Sequence, residues 1–227
     1  MHNVSRIPQS AQTQAHVDLM EKLGRHRDSP YRKPYADYNR QAFDDSMKRY
    51  QALHSGRPLI LDAGCGTGQS SVSLARQFPD HYVVDQSAAR LSRYSAHRHE
   101  QDDFPENLDL VRADLVDYWR LLLDAGICLD RHYLFYPNPW PKIGHLSRRW
   151  HGHPVFPAIL SLGGVLECRT NWDIYIKEFS LAVEYLAGLS VQVEVFVPEV
   201  TISPFERKYS DSGHPLYRAM VSLIRKN

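Results

Sequence analysis

Residues 58–68 read PLILDAGCGTG, an apolar run that ends in a carboxylate and three glycines at alternate positions. A run this short, bounded by Pro58 and a glycine turn, predicts a buried strand. The glycines permit positive φ and let the backbone approach a ligand closely. The residues that follow, QSSVSLARQF, carry helical spacing. The N-terminus of that helix, which favours negative groups, then opens onto the turn. A strand, a glycine turn and a helix in this order start an α/β layout.

The rest of the chain continues it. HYVVD reads as a second strand and SAARLSRYSAHRH as a second helix, with Ser87 as its N-cap. LDLVRAD reads as a third strand, and LVDYWRLLLDAG as a helix closed by Gly126. RHYLFYP, HPVFPAILSLGG, GGVLECRT and NWDIYIKEFSLAVEYLAG predict strand, helix, strand and amphipathic helix. VQVEVFVP and LYRAMVSLIRK alternate as antiparallel edge strands do. Strands alternating with helices imply a mostly parallel sheet covered on both faces, with ligands beyond the carboxyl ends of the strands.

Residues 1–55 are polar and show no clear period, which divides the chain into a basic N-terminal arm or cap (1–55) and an α/β domain (56–227). From Lys22 to Arg49 there are eight Lys or Arg against four Asp, with Tyr31, Tyr35 and Tyr38 interleaved. Such a segment reads either as a helical cap with tyrosines packed on the body or as an RNA-facing arm. A net charge of +1 excludes a global nucleic-acid signal, so any such signal is local. No apolar run approaches the roughly 20 residues needed to cross a membrane, and MHNVSRIPQSAQTQAH lacks the apolar core of a secretion signal. Cys65, Cys128 and Cys168 are far apart, show no metal spacing and suggest a reducing cytoplasm. His151 and His153 have no third ligand in view and read as polar loop residues, so no metal is expected. Cys168 reads as core.

The spacing G-x-G-x-G at Gly64, Gly66 and Gly68 is not the G-x-x-G ending of dinucleotide dehydrogenases. With Asp62 before it, the turn resembles motif I of class I S-adenosylmethionine-dependent methyltransferases. The resemblance implies a Rossmann-like, seven-stranded, mostly parallel sheet with S-adenosyl-L-methionine as cofactor. Asp85 and Asp114 follow at the ends of the second and third strands, where they would take the ribose hydroxyls and the adenine amino group.

A second stretch is more specific. Residues 135–150 read FYPNPWPKIGHLSRRW, with an asparagine held between two prolines and then four basic residues. The prolines stiffen the loop on either side of Asn138, whose amide can donate and accept toward a flat heterocycle. PNPWPK followed by H-x-x-RR resembles the P-D-P-W-x-K and RH-x-x-RR signature of the tRNA (guanine-N7)-methyltransferases. Asn171 after the fifth strand resembles that family's T-D segment. Ser203-Pro204-Phe205-Glu206 resembles its T-x-F/Y-E segment, and residues 213–218 its ending. The resemblance implies methyl transfer to guanine N7 in tRNA, with Asn138 and Glu206 at the reacting base. It places Lys142, Arg148, Arg149, Asn171, Ser203 and Glu206 on the base and the nearby backbone. Three positions depart from the family pattern: Asn138 and Asn171 stand where it has Asp, and Ser203 where it has Thr.

Two negative charges near the acceptor are therefore gone. N7 carries a free lone pair, so transfer by direct displacement needs alignment more than a general base. The rival readings are methylation of an exocyclic amine, since Asn-Pro-aromatic turns resemble those of amino-group methyltransferases, and an inactive homologue that binds cofactor and tRNA.

Overall fold

The computed structural model describes residues 5–64, 66–86 and 104–223. The helix expected over residues 87–99, and Cys65, lie outside the described residues. Seven strands form one sheet: β1 (Leu59–Ala63), β2 (Tyr82–Gln86), β3 (Leu108–Val111), β4 (Arg131–Phe135), β5 (Gly164–Thr170), β6 (Gln192–Phe196) and β7 (Leu216–Leu223). Their order is β3-β2-β1-β4-β5-β7-β6. The first five strands pair in parallel, and β7 alone runs against its neighbours, antiparallel to both β5 and β6. Only one of the two C-terminal strands is thus reversed relative to the rest of the sheet.

The central strands are continuous apolar runs because both their faces are covered. Leu59 and Leu61 enter the larger core cluster, while Ile60 between them enters the smaller one beneath α3 (Gln69–Gln77). Tyr82 and Val84 alternate with Val83 in the same way, as the period of two requires. The larger cluster is built against α4 (Leu115–Asp124), α5 (Phe156–Ser161) and α6 (Asp173–Ala187). Gly126 and Gly188 take positive φ just past α4 and at the end of α6, where a left-handed residue satisfies the last carbonyls.

The first fifty-odd residues hold two helices that the sequence pattern hides, α1 (Leu19–Asp28) and α2 (Asp37–His54). Leu19, Leu23, Phe43 and Met47 join the larger core cluster. The buried stripe of α2 runs Asn39, Phe43, Ser46, Met47. Its polar members are met on the other side: Asn39 Nδ2 donates to Asp117 Oδ2 at 2.6 Å, and Ser46 Oγ to Asp109 Oδ2 at 2.6 Å. Arg49 adds two bonds to Asp109, at 2.9 and 3.0 Å. Polar residues complete the stripe, so no hydrophobic period is visible. No described helix is long and apolar enough to cross a membrane.

The carboxyl ends of β1, β2, β3, β4 and β5 bring Asp62, Asp85, Asp114, Asn138 and Asn171 to one rim of the sheet. Asp62 and Asp85 are register partners on adjacent strands.

Candidate active site

The glycine turn is held open by its own backbone. Gly64, Gly66 and Gly68 have φ of 80°, 69° and 78°, a region that side chains disfavour. Gly64 N–H donates to Gln86 O at 2.9 Å, which stitches the turn to the end of β2. Asp62 is fully buried beneath it. Ser70 and Ser71, in the first turn of α3, both donate to Asp62 Oδ2, at 2.5 and 2.6 Å. Burial pushes the Asp62 carboxyl up to about 6, against the lowering effect of the two serines and Arg169.

The fit of S-adenosylmethionine rests on Asp62. Its Oδ1 is buried and accepts from no group among the described residues. A buried carboxylate oxygen with unmet capacity is costly, and the ammonium of a methionine moiety seated in the turn above would offset it as a nearby charge or through an ordered water, not by direct contact. Asp85 is fully buried on β2. Asp114 is exposed, and its Oδ1 caps α4 by accepting from Val116 N–H at 2.9 Å. Its second oxygen remains for an outside donor. The residues present fit the cofactor.

The other half of the candidate site starts where β4 ends. Tyr136 and Trp140 are the only non-glycine residues with positive φ among those described, at 50° and 46°, and they bracket Pro137-Asn138-Pro139. Such conformations cost of order 1–3 kcal/mol each and persist only where surrounding contacts impose them. The contacts are plain. Tyr136 N–H donates to Arg169 O at 2.8 Å, and its hydroxyl donates to Glu206 Oε1 at 2.8 Å. Trp140 N–H reaches Asn138 Oδ1 at 3.4 Å, and Trp140 O accepts from two nitrogens of Arg149 at 3.3 and 3.2 Å. Asn138 itself is exposed, with its amide nitrogen bonded to nothing in the described chain. Lys142 and Arg148 are exposed beside it, and the Arg148 guanidinium lies 4.8 Å from the Trp140 ring centroid.

Four expected substrate contacts are corrected. Arg149 is fully buried and pairs with Glu178 of α6 at 2.6 Å, so it anchors the loop and does not reach a phosphate. Glu206, in α7 (Pro204–Asp211), is fully buried with both oxygens used. Oε1 accepts from Tyr136 and from Arg169, the latter at 2.9 Å, and Oε2 accepts from Ile202 N–H at 2.8 Å. Ser203 is the buried N-cap of α7 and accepts from Glu206 N–H at 3.1 Å. Asn171 is buried and donates to His214 Nδ1 at 3.1 Å, while His214 Nε2–H donates to Ser5 O at 2.9 Å. These residues shape the acceptor wall from behind. His151 also departs from expectation: it is buried, not in a solvated loop, and bonds Glu178 Oε2 at 2.8 Å. Cys168 is fully buried in β5, as core.

An aromatic wall escaped the sequence reading. Tyr209 stacks on His214 at 5.5 Å and packs against Tyr136 at 5.5 Å and Phe205 at 6.3 Å. A Cβ on Gly66 would meet the Phe205 ring at 3.7 Å, so α7 faces the glycine turn across the rim. The signal lay in the Ser203-x-x-Glu206 pattern: Ser203 caps the helix through Glu206 N–H while Glu206 reaches back to Ile202 N–H, which fixes the start of α7 and so the placement of Phe205 and Tyr209.

A wound sheet in this order, with a glycine turn after β1 and carboxylates at successive strand ends, defines a class I S-adenosylmethionine-dependent methyltransferase. The solved structures agree on the fold. An "antibiotic related methyltransferase" superposes with a TM-score of 0.56 at 10% identity, covering 84% of this chain and 96% of that one. A 16S rRNA (adenine(1408)-N(1))-methyltransferase from Catenulisporales acidiphilia, with cosubstrate SAM, superposes at 0.54 with 19% identity, over 82% and 93% of the two chains. Residues 56–219 match the family described as "Putative methyltransferase". A tRNA (guanine-N(7)-)-methyltransferase of Leifsonia xyli subsp. xyli is 30% identical over 171 residues, 70% of this chain and 74% of that protein. The enzyme of that name from an Exiguobacterium species is 28% identical over 218 residues, 88% of this chain and 99% of its own. The chain belongs to the tRNA (guanine-N7)-methyltransferase family, as a divergent member.

Proposed function

We propose that this protein methylates N7 of a guanine in tRNA, with S-adenosylmethionine as donor. One observation carries the reading within the family. The strained Pro137-Asn138-Pro139 turn is fixed from behind by Tyr136, Glu206 and Arg149, and presents one exposed carboxamide at the rim beside the glycine turn. Energy spent holding an amide in one place is the signature of a positioning group.

When bound, the cofactor supplies an electrophilic methyl group on a sulfonium. The chain's own residues do the rest. Asp62, Asp85, Asp114 and the three glycines would hold the donor. Asn138 offers donor and acceptor to the edge of a purine, and alignment supplies a large share of the barrier reduction. Lys142 and Arg148 take backbone phosphates. N7 carries no proton, so the buried Glu206 has no proton to remove; it positions Tyr136 and Arg169. The methylated guanine gains positive charge, and Glu206 and Glu167 are both already paired with Arg169. Without a carboxylate at Asn138, charge stabilisation of the step is reduced and alignment carries it. Extruding the base costs a few kcal/mol. Residues 56–227 form the catalytic domain in this reading, 1–55 its cap, and the protein works on tRNA in the cytoplasm.

Transfer of labelled methyl to bulk tRNA, followed by nucleoside mass identification, tests the proposal. The expected product is 7-methylguanosine. An N-methylated exocyclic amine would sink the N7 assignment, and cofactor binding without transfer would sink the catalytic one.

A further inference from the structure

We infer that a cationic cleft remote from the glycine turn is a second RNA-backbone site, which guides the same substrate away from the acceptor loop. The cleft measures about 790 Å³ and lies between residues 26–40, the far end of α4 and the start of α5. Arg27, Arg32, Lys33, Arg40 and Arg120 line it, against Asp37 and Asp124. With Asp28 and Asp117, which pair with Arg27 and Arg120, five cations stand against four carboxylates, and the excess lies on Arg32, Lys33 and Arg40.

Three of the five cations are not paired with a carboxylate of the described residues. Arg27 pairs with Asp28 and Arg120 with Asp117, but among the described residues no carboxylate pairs with Arg32, Lys33 or Arg40. All three are exposed. The aromatic rings are already occupied. The guanidiniums of Arg40 and Arg120 lie 4.4 and 4.2 Å from the Tyr35 ring centroid, and the Tyr35 hydroxyl donates to Asp124 at 2.5 Å. Cation–π contacts hold those guanidiniums in place at little entropic cost on binding. Rings so covered offer no stacking face to a base, and the cleft therefore recognises phosphate charge, not sequence.

Its position selects a polymer. α1 lies along the acceptor segment: Lys22 Nζ donates to Ser147 Oγ at 2.8 Å, next to Arg148, and His26 Nε2 bonds Gly152 O at 3.2 Å. The helix spans Leu19–Asp28, roughly 15 Å at 1.5 Å per residue. Arg148, Lys22, Arg27, Arg32 and Lys33 thus mark a positive path from the acceptor loop into the cleft. A mononucleotide cannot bridge it, whereas a structured RNA can.

The inference rests on tRNA being the substrate, and the test separates the two. Binding of bulk tRNA by the full chain is measured by filter retention across a salt series, for wild type and for R32E/K33E. Methyl transfer is measured separately, with S-adenosylmethionine affinity and circular dichroism as the check on folding. We expect the tRNA Kd of R32E/K33E to rise about tenfold or more at 0.1 M salt, and the log–log salt slope to become shallower by roughly 1–2. Turnover at saturating tRNA should hold. Should R32Q/K33Q also weaken binding, lost attraction and not repulsion is at work. An unchanged Kd and slope in R32E/K33E, with R148Q still weakening binding, overturns the cleft while leaving the function intact. Cleft-dependent binding without transfer by wild type supports the cleft and removes the function. Failure of wild type to bind tRNA removes both.

Discussion

Arg149 and Glu178 meet at 2.6 Å with neither side chain exposed, and this pair joins the loop after β4 to α6. The guanidinium also donates to Trp140 O at 3.3 and 3.2 Å and to Gln12 Oε1 at 3.0 Å. Glu178 Oε1 accepts from Gln12 Nε2 at 2.5 Å and from His16 N–H at 2.8 Å. One buried ion pair therefore fixes the acceptor turn, α6 and the N-terminal segment together. Burial pushes the Glu178 carboxyl up, yet His151 and Arg149 outweigh it and bring it down to about 2.

Removing one partner leaves the other charged and buried. Arg149→Met is expected to lose about 3–5 kcal/mol of stability, read by denaturant unfolding. A loss below about 1 kcal/mol would show that Gln12, His16 and His151 satisfy Glu178 without the arginine.

Asp62 links cofactor binding to pH. Its folded pKa is raised by burial to about 6 from an ordinary 3.8, so the free protein binds a proton there more tightly than the unfolded chain does. Its contribution to stability is thus fully present below pH 3.8 and lost as pH rises through about 6. A cationic donor favours the ionised form, so the sign for binding is opposite: S-adenosylmethionine affinity should weaken as pH falls through about 6 and be flat above 7. Titration calorimetry across this range checks it, with Asp62→Asn expected to flatten the profile. A wild-type affinity indifferent to pH between 5 and 7 counts against coupling between Asp62 and the donor's positive charge.

Asn138→Asp restores a charge beside the guanine. The expected outcome is a several-fold higher kcat on tRNA at neutral pH, with unchanged cofactor affinity. Asn138→Ala should lower kcat/KM by roughly 10–100-fold, because the amide that aligns the base is lost. Equal rates for all three proteins would mean that the turn does not touch the base.

Glu206→Gln keeps the shape of a side chain that we assign to positioning. Loss of the charge weakens the hold on Arg169 and lowers kcat, but the pH dependence of kcat should keep its wild-type form. Disappearance of an ionisation limb from the profile would instead make Glu206 an acid or base in the reaction.

The central strands were legible because both their faces are covered, so LILDA, YVVDQ and HYLF are apolar almost throughout. The glycine turn was legible because positive φ leaves few alternatives. The stripe of α2 was not, since Asn39 and Ser46 are buried through Asp117 and Asp109, partners far along the chain. Nor was the fate of the neighbours Arg148 and Arg149. They are the same residue type, yet one lies over Trp140 at the surface and the other is sealed against Glu178, 29 residues on. Local pattern marks both as cationic; only the packing of the 143–152 segment against α6 tells them apart. Glu206 carries the same lesson: the motif identified the residue, and burial reassigned its work.

In the proposed reaction one rim holds donor and base together. The most direct measurement is a structure of the protein with S-adenosylhomocysteine and tRNA. The thioether is expected over Gly64, Gly66 and Gly68, directed at the N7 of an extruded guanine whose edge meets the Asn138 amide. A thioether bound elsewhere, or an Asn138 turn that contacts no base, would contradict it.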